Sequence, residues 1–253
     1  MGLKVKENGV WSTVGKVRYT IAKDSDFSGP ANEPYKKTRY IGTSENIVIP
    51  PKIGENYFTK YERLFMDNSF AKLSIISANP VTSFESLFTN CSNLTELDLS
   101  AFDTSYATSF SSLFSNCSNL TELDLSAFDT SKVTMTDYMF SGCTSLTELD
   151  LSAFDTSSVT NMYAMFSGCS SLIEIDLSAF DTSQVTNMSY MFSSCSSLVE
   201  IDLSSFDTSQ VTYMSYMFSS CSSLKTVYAR TEADANKFRN SIGFPSGATV
   251  IVK

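Results

Sequence analysis

Between Val81 and Ala229 the apolar positions recur every 26 residues, six times over. Each unit reads roughly V-T-x-M-x-x-M-F-S-x-C-S-S-L-x-E-L-D-L-S-A-F-D-T-S. Its second half carries an L-x-x-L-x-L run, as at Leu94, Leu97 and Leu99 or Leu120, Leu123 and Leu125. The alternation at the end of that run predicts a short strand, with leucines inward and Glu96 and Asp98 outward. In the first half Val185, Met188, Met191, Phe192 and Cys195 stand at offsets of 0, 3, 6, 7 and 10. That spacing predicts one buried face of a helix of two to three turns. A third inward anchor is the Phe at 102, 128, 154, 180 and 206, followed by Asp and Ser that suit a tight turn.

No unit of this kind can bury its apolar face alone, whereas stacked units share a continuous core. The fold class expected is therefore an α/β repeat solenoid, leucine-rich-repeat-like. It would have one parallel strand plus one short helix per 26-residue coil and a small β region at the N-terminus. Six coils at roughly 5 Å each make a body on the order of 30 Å long.

The flanks divide the chain further. Residues 45–80 read as a capping strand, Glu45 to Pro51, and a degenerate coil in which Leu64-Phe65 parallels Leu87-Phe88. Residues 81–229 hold the six repeats. In residues 230–253, Thr231 to Ile242 predicts a helix, acidic early and basic late, and Ala248 to Val252 a last strand. Residues 1–44 predict a β region, with a hairpin at Asn8-Gly9 and a strand at Val17 to Ile21.

The unit resembles the 26-residue repeat of bacterial surface proteins in the BspA-like leucine-rich-repeat group. The resemblance rests on residues such as Phe154-Asp155-Thr156-Ser157-Ser158-Val159-Thr160-Asn161-Met162 and Met165-Phe166-Ser167-Gly168-Cys169. It implies display at the cell surface or outside the cell and a role in adhesion, with a protein or glycan as ligand. The leader, with Trp11 after the Asn8-Gly9 turn, resembles the N-termini of some phage tail and fibre proteins. That implies an alternative, a virion protein docked onto the particle through residues 1–44.

Charge sharpens the picture. The formal net charge is −9, but residues 1–80 carry 12 Lys and Arg against 8 Asp and Glu, and residues 81–253 carry 6 against 19. So acidic a body argues against nucleic acid and admits a basic partner. Two acidic columns should lie on the exposed face of the sheet: Glu96, Glu122, Glu148, Glu174 and Glu200 beside Asp98, Asp124, Asp150, Asp176 and Asp202. Like charges on neighbouring strands repel, so these columns call for counter-ions or a basic ligand. Tyr138, Tyr190 and Tyr216 follow the opening Val by five residues, about 500° around a helix and opposite its buried side. They are candidate ligand contacts, confined to the C-terminal half because Ser86, Ser112 and Ala164 interrupt the column.

Other chemistry is excluded rather than suggested. The chain has no histidine, the commonest general base and neutral metal ligand. The six cysteines, Cys91 to Cys221 at 26-residue intervals, form no C-x-x-C pair, and stacked neighbours stay too far apart for easy disulfides. They read as buried, reduced filler. A flat carboxylate array offers few convergent ligands for calcium. No catalytic site, metal or cofactor is expected. Nor is membrane insertion, because no apolar run reaches the roughly 18 residues a spanning helix needs. The first residues show no apolar secretion leader.

Overall fold

The computed structural model describes residues 61–75, 80–100 and 102–253, and before them only short paired strands. Those strands are β1 (Thr20–Ile21), β2 (Phe27–Ser28), β3 (Arg39–Tyr40), β4 (Asn46–Val48), β5 (Lys52–Ile53) and β6 (Asn56–Tyr57). Then come β7 (Lys72–Ile75), β8 (Glu96–Asp98), β9 (Glu200–Leu203), β10 (Thr226–Ala229), the helix α1 (Glu232–Arg239) and β11 (Thr249–Val252). The Asn8-Gly9 hairpin lies outside the described residues. β1 pairs in parallel with β4, β4 with β7 and β7 with β8, so part of the N-terminal region joins the solenoid sheet.

The repeats stack as successive coils around one core. Phe88, Phe114, Phe140, Phe166, Phe192 and Phe218 are all buried and their rings stack in one column, with centroids 5.5–6.0 Å apart. At the next corner Phe102 to Phe206 are buried as well. Beside them Thr104, Thr130, Thr156 and Thr182 each donate a hydroxyl hydrogen bond to the Asp carbonyl one coil ahead. The Thr130 hydroxyl also accepts from the Asp155 N–H, so buried polarity is satisfied between coils.

Two expectations are corrected. First, no helix forms in any repeat; among the described residues α1 is the only one. The segment expected to be helical is a run of overlapping turns. Met191, Ser193 and Cys195 bond back to Met188, Tyr190 and Phe192, three residues earlier. The N–H groups of Met188, Tyr190, Phe192 and Ser194 instead reach the carbonyls of Tyr213, Ser215, Met217 and Ser219 in the next coil, at 2.7–3.0 Å. Two columns adopt positive φ, one through Ser112, Tyr138, Ala164, Tyr190 and Tyr216 and one through Asn90, Asn116, Gly142, Gly168, Ser194 and Ser220. A left-handed residue every fourth position is incompatible with a right-handed helix. The same residues still face inward: Val185, Met188, Met191, Phe192 and Cys195 are fully buried.

Second, the parallel strand does not recur in every coil. Ladders form at the two ends, β1-β4-β7-β8 and β9-β10-β11. Between β8 and β9 the corresponding segments of three coils, around Leu123, Leu149 and Ile175, carry no strand pairing.

The C-terminal end is sealed by side chains that stand in for a further coil. Thr231 caps α1 by accepting the Asp234 N–H. Asp234, buried, accepts both the N–H and the hydroxyl of Thr208, at 3.0 and 2.6 Å, where a following coil would offer a carbonyl. Lys237 donates to the carbonyls of Thr208 and Val211, and Arg239 to that of Val250. That last bond covers an outward carbonyl on the edge of β11 and blunts it against pairing with another chain.

Candidate functional site

The ten carboxylates expected on the sheet face are all exposed and line one continuous trough of about 1350 Å³. It runs from Lys72 to Lys253, and Leu97, Leu123, Leu149 and Ile175 form part of its floor. From residue 81 to 224 the chain carries 17 carboxylates and one cation, Lys132. Lys132 is not in the trough; it lies over the Tyr106 ring at 4.7 Å.

Local sequence orients the Asp column. Each Asp is followed two residues on by a Ser whose N–H it accepts: Ser100 on Asp98, Ser126 on Asp124, Ser152 on Asp150, Ser178 on Asp176 and Ser204 on Asp202, at 2.9–3.0 Å. This short side-chain turn fixes the carboxylates on the trough wall. Bonds from the Ser hydroxyl and N–H hold Asp124 and Asp150 below the usual carboxylate range. For Asp176 the Ser178 N–H is the largest cause, while burial and then the like charges of Asp150 and Asp202 push the other way.

Cations meet the trough only at its ends. Lys72 pairs with Glu96, and Lys253 pairs with Asp202 while lying 3.9 Å from the Tyr228 ring centre. Among the described residues no ion pair is found for Glu122, Asp124, Glu148, Asp150, Glu174 or Asp176.

Tyr138, Tyr190 and Tyr216 lie on the turn face, and none lines the trough. The column is also more continuous than the spacing implied. Tyr163 fills the gap left by Ala164, with ring centroids 5.0 Å from Tyr138 and 5.6 Å from Tyr190; Tyr190 lies 5.0 Å from Tyr216. The Tyr138 hydroxyl bonded to Tyr163 raises the latter's phenol. Tyr163 occupies the position just before Ala164 rather than the Tyr138 column itself, so the repeat register alone hides it. Tyr190 and Tyr216 stack face to face, Tyr138 meets Tyr163 edge-on, and Tyr163 is tilted against Tyr190.

The cysteines are free and buried, and Cys117 to Cys221 donate to Phe carbonyls of the preceding coil at 2.9–3.2 Å. Burial pushes the thiols up, that of Cys143 to about 12, so no reactive thiolate results. Among the described residues no three His, Cys, Asp or Glu side chains are grouped to hold a metal ion. None of the helices is long and apolar enough to cross a membrane, again among the described residues.

A stack of coils with a leucine-bearing sheet face and a charged groove along it defines a leucine-rich-repeat-type solenoid. The chain belongs to the family described as Mycoplasma protein of unknown function, DUF285, whose model matches residues 59–172 and 145–242. This is the BspA-like repeat family. No curated protein matches it in sequence. Among solved structures it is similar to the leucine-rich repeat protein of T. pallidum, at 17% identity and a TM-score of 0.50, over 91% of this chain and 100% of that one. It also matches a leucine-rich cell surface protein of Faecalibacterium prausnitzii, at 22% identity and a TM-score of 0.39, over 77% of this chain and 50% of that one. The alternative of a virion protein docked through residues 1–44 has no support among these matches.

Proposed function

We propose that this chain is a binding protein displayed at the cell surface, whose acidic trough takes a basic segment of a partner protein. The observation that carries the proposal is the uncompensated trough: six carboxylates on three successive coils, the three Asp oriented by their own turns, with no cation beside them among the described residues. Natural surfaces intersperse charges of both signs, so a single-sign groove is suited to steering and holding the opposite charge. The BspA-like repeat supports the reading of surface display and adhesion.

The test uses a fluorescent ten-residue oligolysine peptide and a matched oligoglutamate peptide, with antibody labelling of intact source cells alongside. The oligolysine should bind the full chain, and more weakly as salt rises. The combined substitution E148K, D150K, E174K and D176K should abolish that binding while the circular dichroism spectrum is kept. Equal binding by the folded quadruple variant would sink the acidic-trough reading. Labelling confined to broken cells would sink surface display. Binding to a glycan array that is lost on replacing Tyr138, Tyr190 and Tyr216 would move recognition to the turn face.

A further inference from the structure

On the acidic face the strands of neighbouring coils pair only at the junctions where no carboxylate stands over another. At the N-terminal end β7 pairs with β8, placing Lys72 on Glu96 and Ser74 on Asp98. At the C-terminal end β9 pairs with β10, placing Thr226 on Glu200 and Tyr228 on Asp202, and β10 with β11. Across the four junctions between, from β8 through the segments around Leu123, Leu149 and Ile175 to β9, no backbone hydrogen bond joins the segments that carry the columns. At each of these four junctions Glu stands over Glu and Asp over Asp; Lys72 and Lys253 reach only the outermost carboxylates, Glu96 and Asp202.

The chain is not short of bonding capacity there. The same coils are joined on the turn face at every junction, through bridges from Ser83 to Ser109, Met135, Asn161, Asn187 and Tyr213. The leucine floor is also less deeply covered from β8 through the unpaired coils: Leu97, Leu123 and Ile175 are partly buried and Leu149 is 8% exposed, against 3%, 2% and 0% for Leu73, Ile201 and Val227.

We propose that the central sheet is held apart by its own two carboxylate columns and closes into a continuous parallel ladder when cations lie along them. Like charges on opposite positions of adjacent strands destabilise their pairing, and neutralising one column removes the larger part of that opposition. A basic ligand would then be bound and at the same time convert its charge into backbone hydrogen bonds between coils. The inference concerns the face assigned above to partner binding, but its mechanism needs no partner.

Hydrogen exchange of the full chain tests it. The variant carrying E122Q, E148Q and E174Q removes one column without changing side-chain size. Amides of residues 121–125, 147–151 and 173–177 should exchange on the order of tenfold more slowly in the variant than in the parent at low salt. Amides of β10 and of the turn-face bridges should keep their rates. The parent protein moved from 10 mM to 1 M sodium chloride should show the same local slowing, which keeps the proposal testable if the variant folds poorly. Unchanged exchange in the central segments, in both arms, overturns the proposal, as does slowing spread evenly over the chain. Since neither arm contains a partner, this failure is separable from failure of the binding reading.

Discussion

The turn face and the acidic face repeat with the same 26-residue period, yet they are held together differently. On the turn face every coil is stitched to the next by backbone hydrogen bonds, and no column of like charges runs along the residues that make them. On the acidic face the stitching stops wherever carboxylates stack on carboxylates, from β8 to β9. A repeat multiplies whatever it contains. Repeating a turn multiplies a favourable hydrogen-bond pattern, and repeating a Glu and an Asp multiplies a repulsion. On the proposed function, stability and recognition thereby fall on different faces of one coil.

If the turn side and its Phe column carry the stability, the largest losses should come from there. Phe166 is fully buried between Phe140 and Phe192, at 5.7 and 5.5 Å. Phe166→Ala should cost about 3–5 kcal/mol in urea unfolding. Ile175, half-buried on the trough floor, should cost under about 2 kcal/mol when cut to Ala, because much of its surface already meets water. Equal losses at the two sites would erase the asymmetry.

The cap supplies the next largest effect. Asp234 closes the corner between the faces, and replacing it with Ala leaves the Thr208 N–H and hydroxyl without an acceptor, at roughly 1–3 kcal/mol for each buried group. Burial opposes the charge on Asp234, but bonds from Thr208, Thr231 and Arg230 outweigh it and hold the folded pKa below the usual value. A lowered folded pKa means that the carboxylate's contribution is complete above its unfolded pKa, near 4, and is lost as pH falls through the folded value. The stability difference between parent and D234N should therefore shrink as pH falls below about 4. A difference constant down to pH 2 would show that the charge of Asp234 does not matter.

On the turn face itself, Gly168 has φ +77°, and a Cβ there would come no closer than 3.5 Å to Gly142. Space is available, so the cost of Gly168→Val is conformational, about 1–2 kcal/mol for a side chain forced into the left-handed region. This position also shows what the sequence made legible. The period, the inward residues and the two acidic columns are written in the spacing, because a side chain's burial depends on where it recurs. The backbone of the turn segment is not, since consecutive turns and a helix can present the same offsets of 0, 3, 6, 7 and 10. The pointer away from a helix was the position before each Cys, occupied by Asn90, Asn116, Gly142, Gly168, Ser194 and Ser220. Asn and Gly are the residues that tolerate positive φ, and Ser is a weak helix former. Tyr163 escaped notice for a related reason: a ring can enter a column from the neighbouring position. The missing central ladder coincides with the carboxylate columns, running from β8 to β9 where Glu and Asp stack on their like.

The smallest expected effect is also the most specific to the comparison. Glu148 stands between Glu122 and Glu174 with no cation beside it, so Glu148→Gln removes two like-charge contacts and no ion pair. Its hydrogen-bonding shape is kept, and it is exposed, so an ordinary surface substitution would leave stability within about 0.5 kcal/mol either way. Repulsion predicts a definite sign, a gain of a few tenths of a kcal/mol at low salt. The gain should vanish toward 1 M salt, where the screening length falls to about 3 Å and no longer spans adjacent coils. Glu96→Gln on the same column should go the other way or do nothing, because it discards the contact with Lys72. Urea midpoints of the two variants at 10 mM and 1 M salt decide the matter. Opposite signs at low salt that converge at high salt would locate the repulsion in the unrelieved middle of the face, and identical behaviour of the two glutamates would remove it.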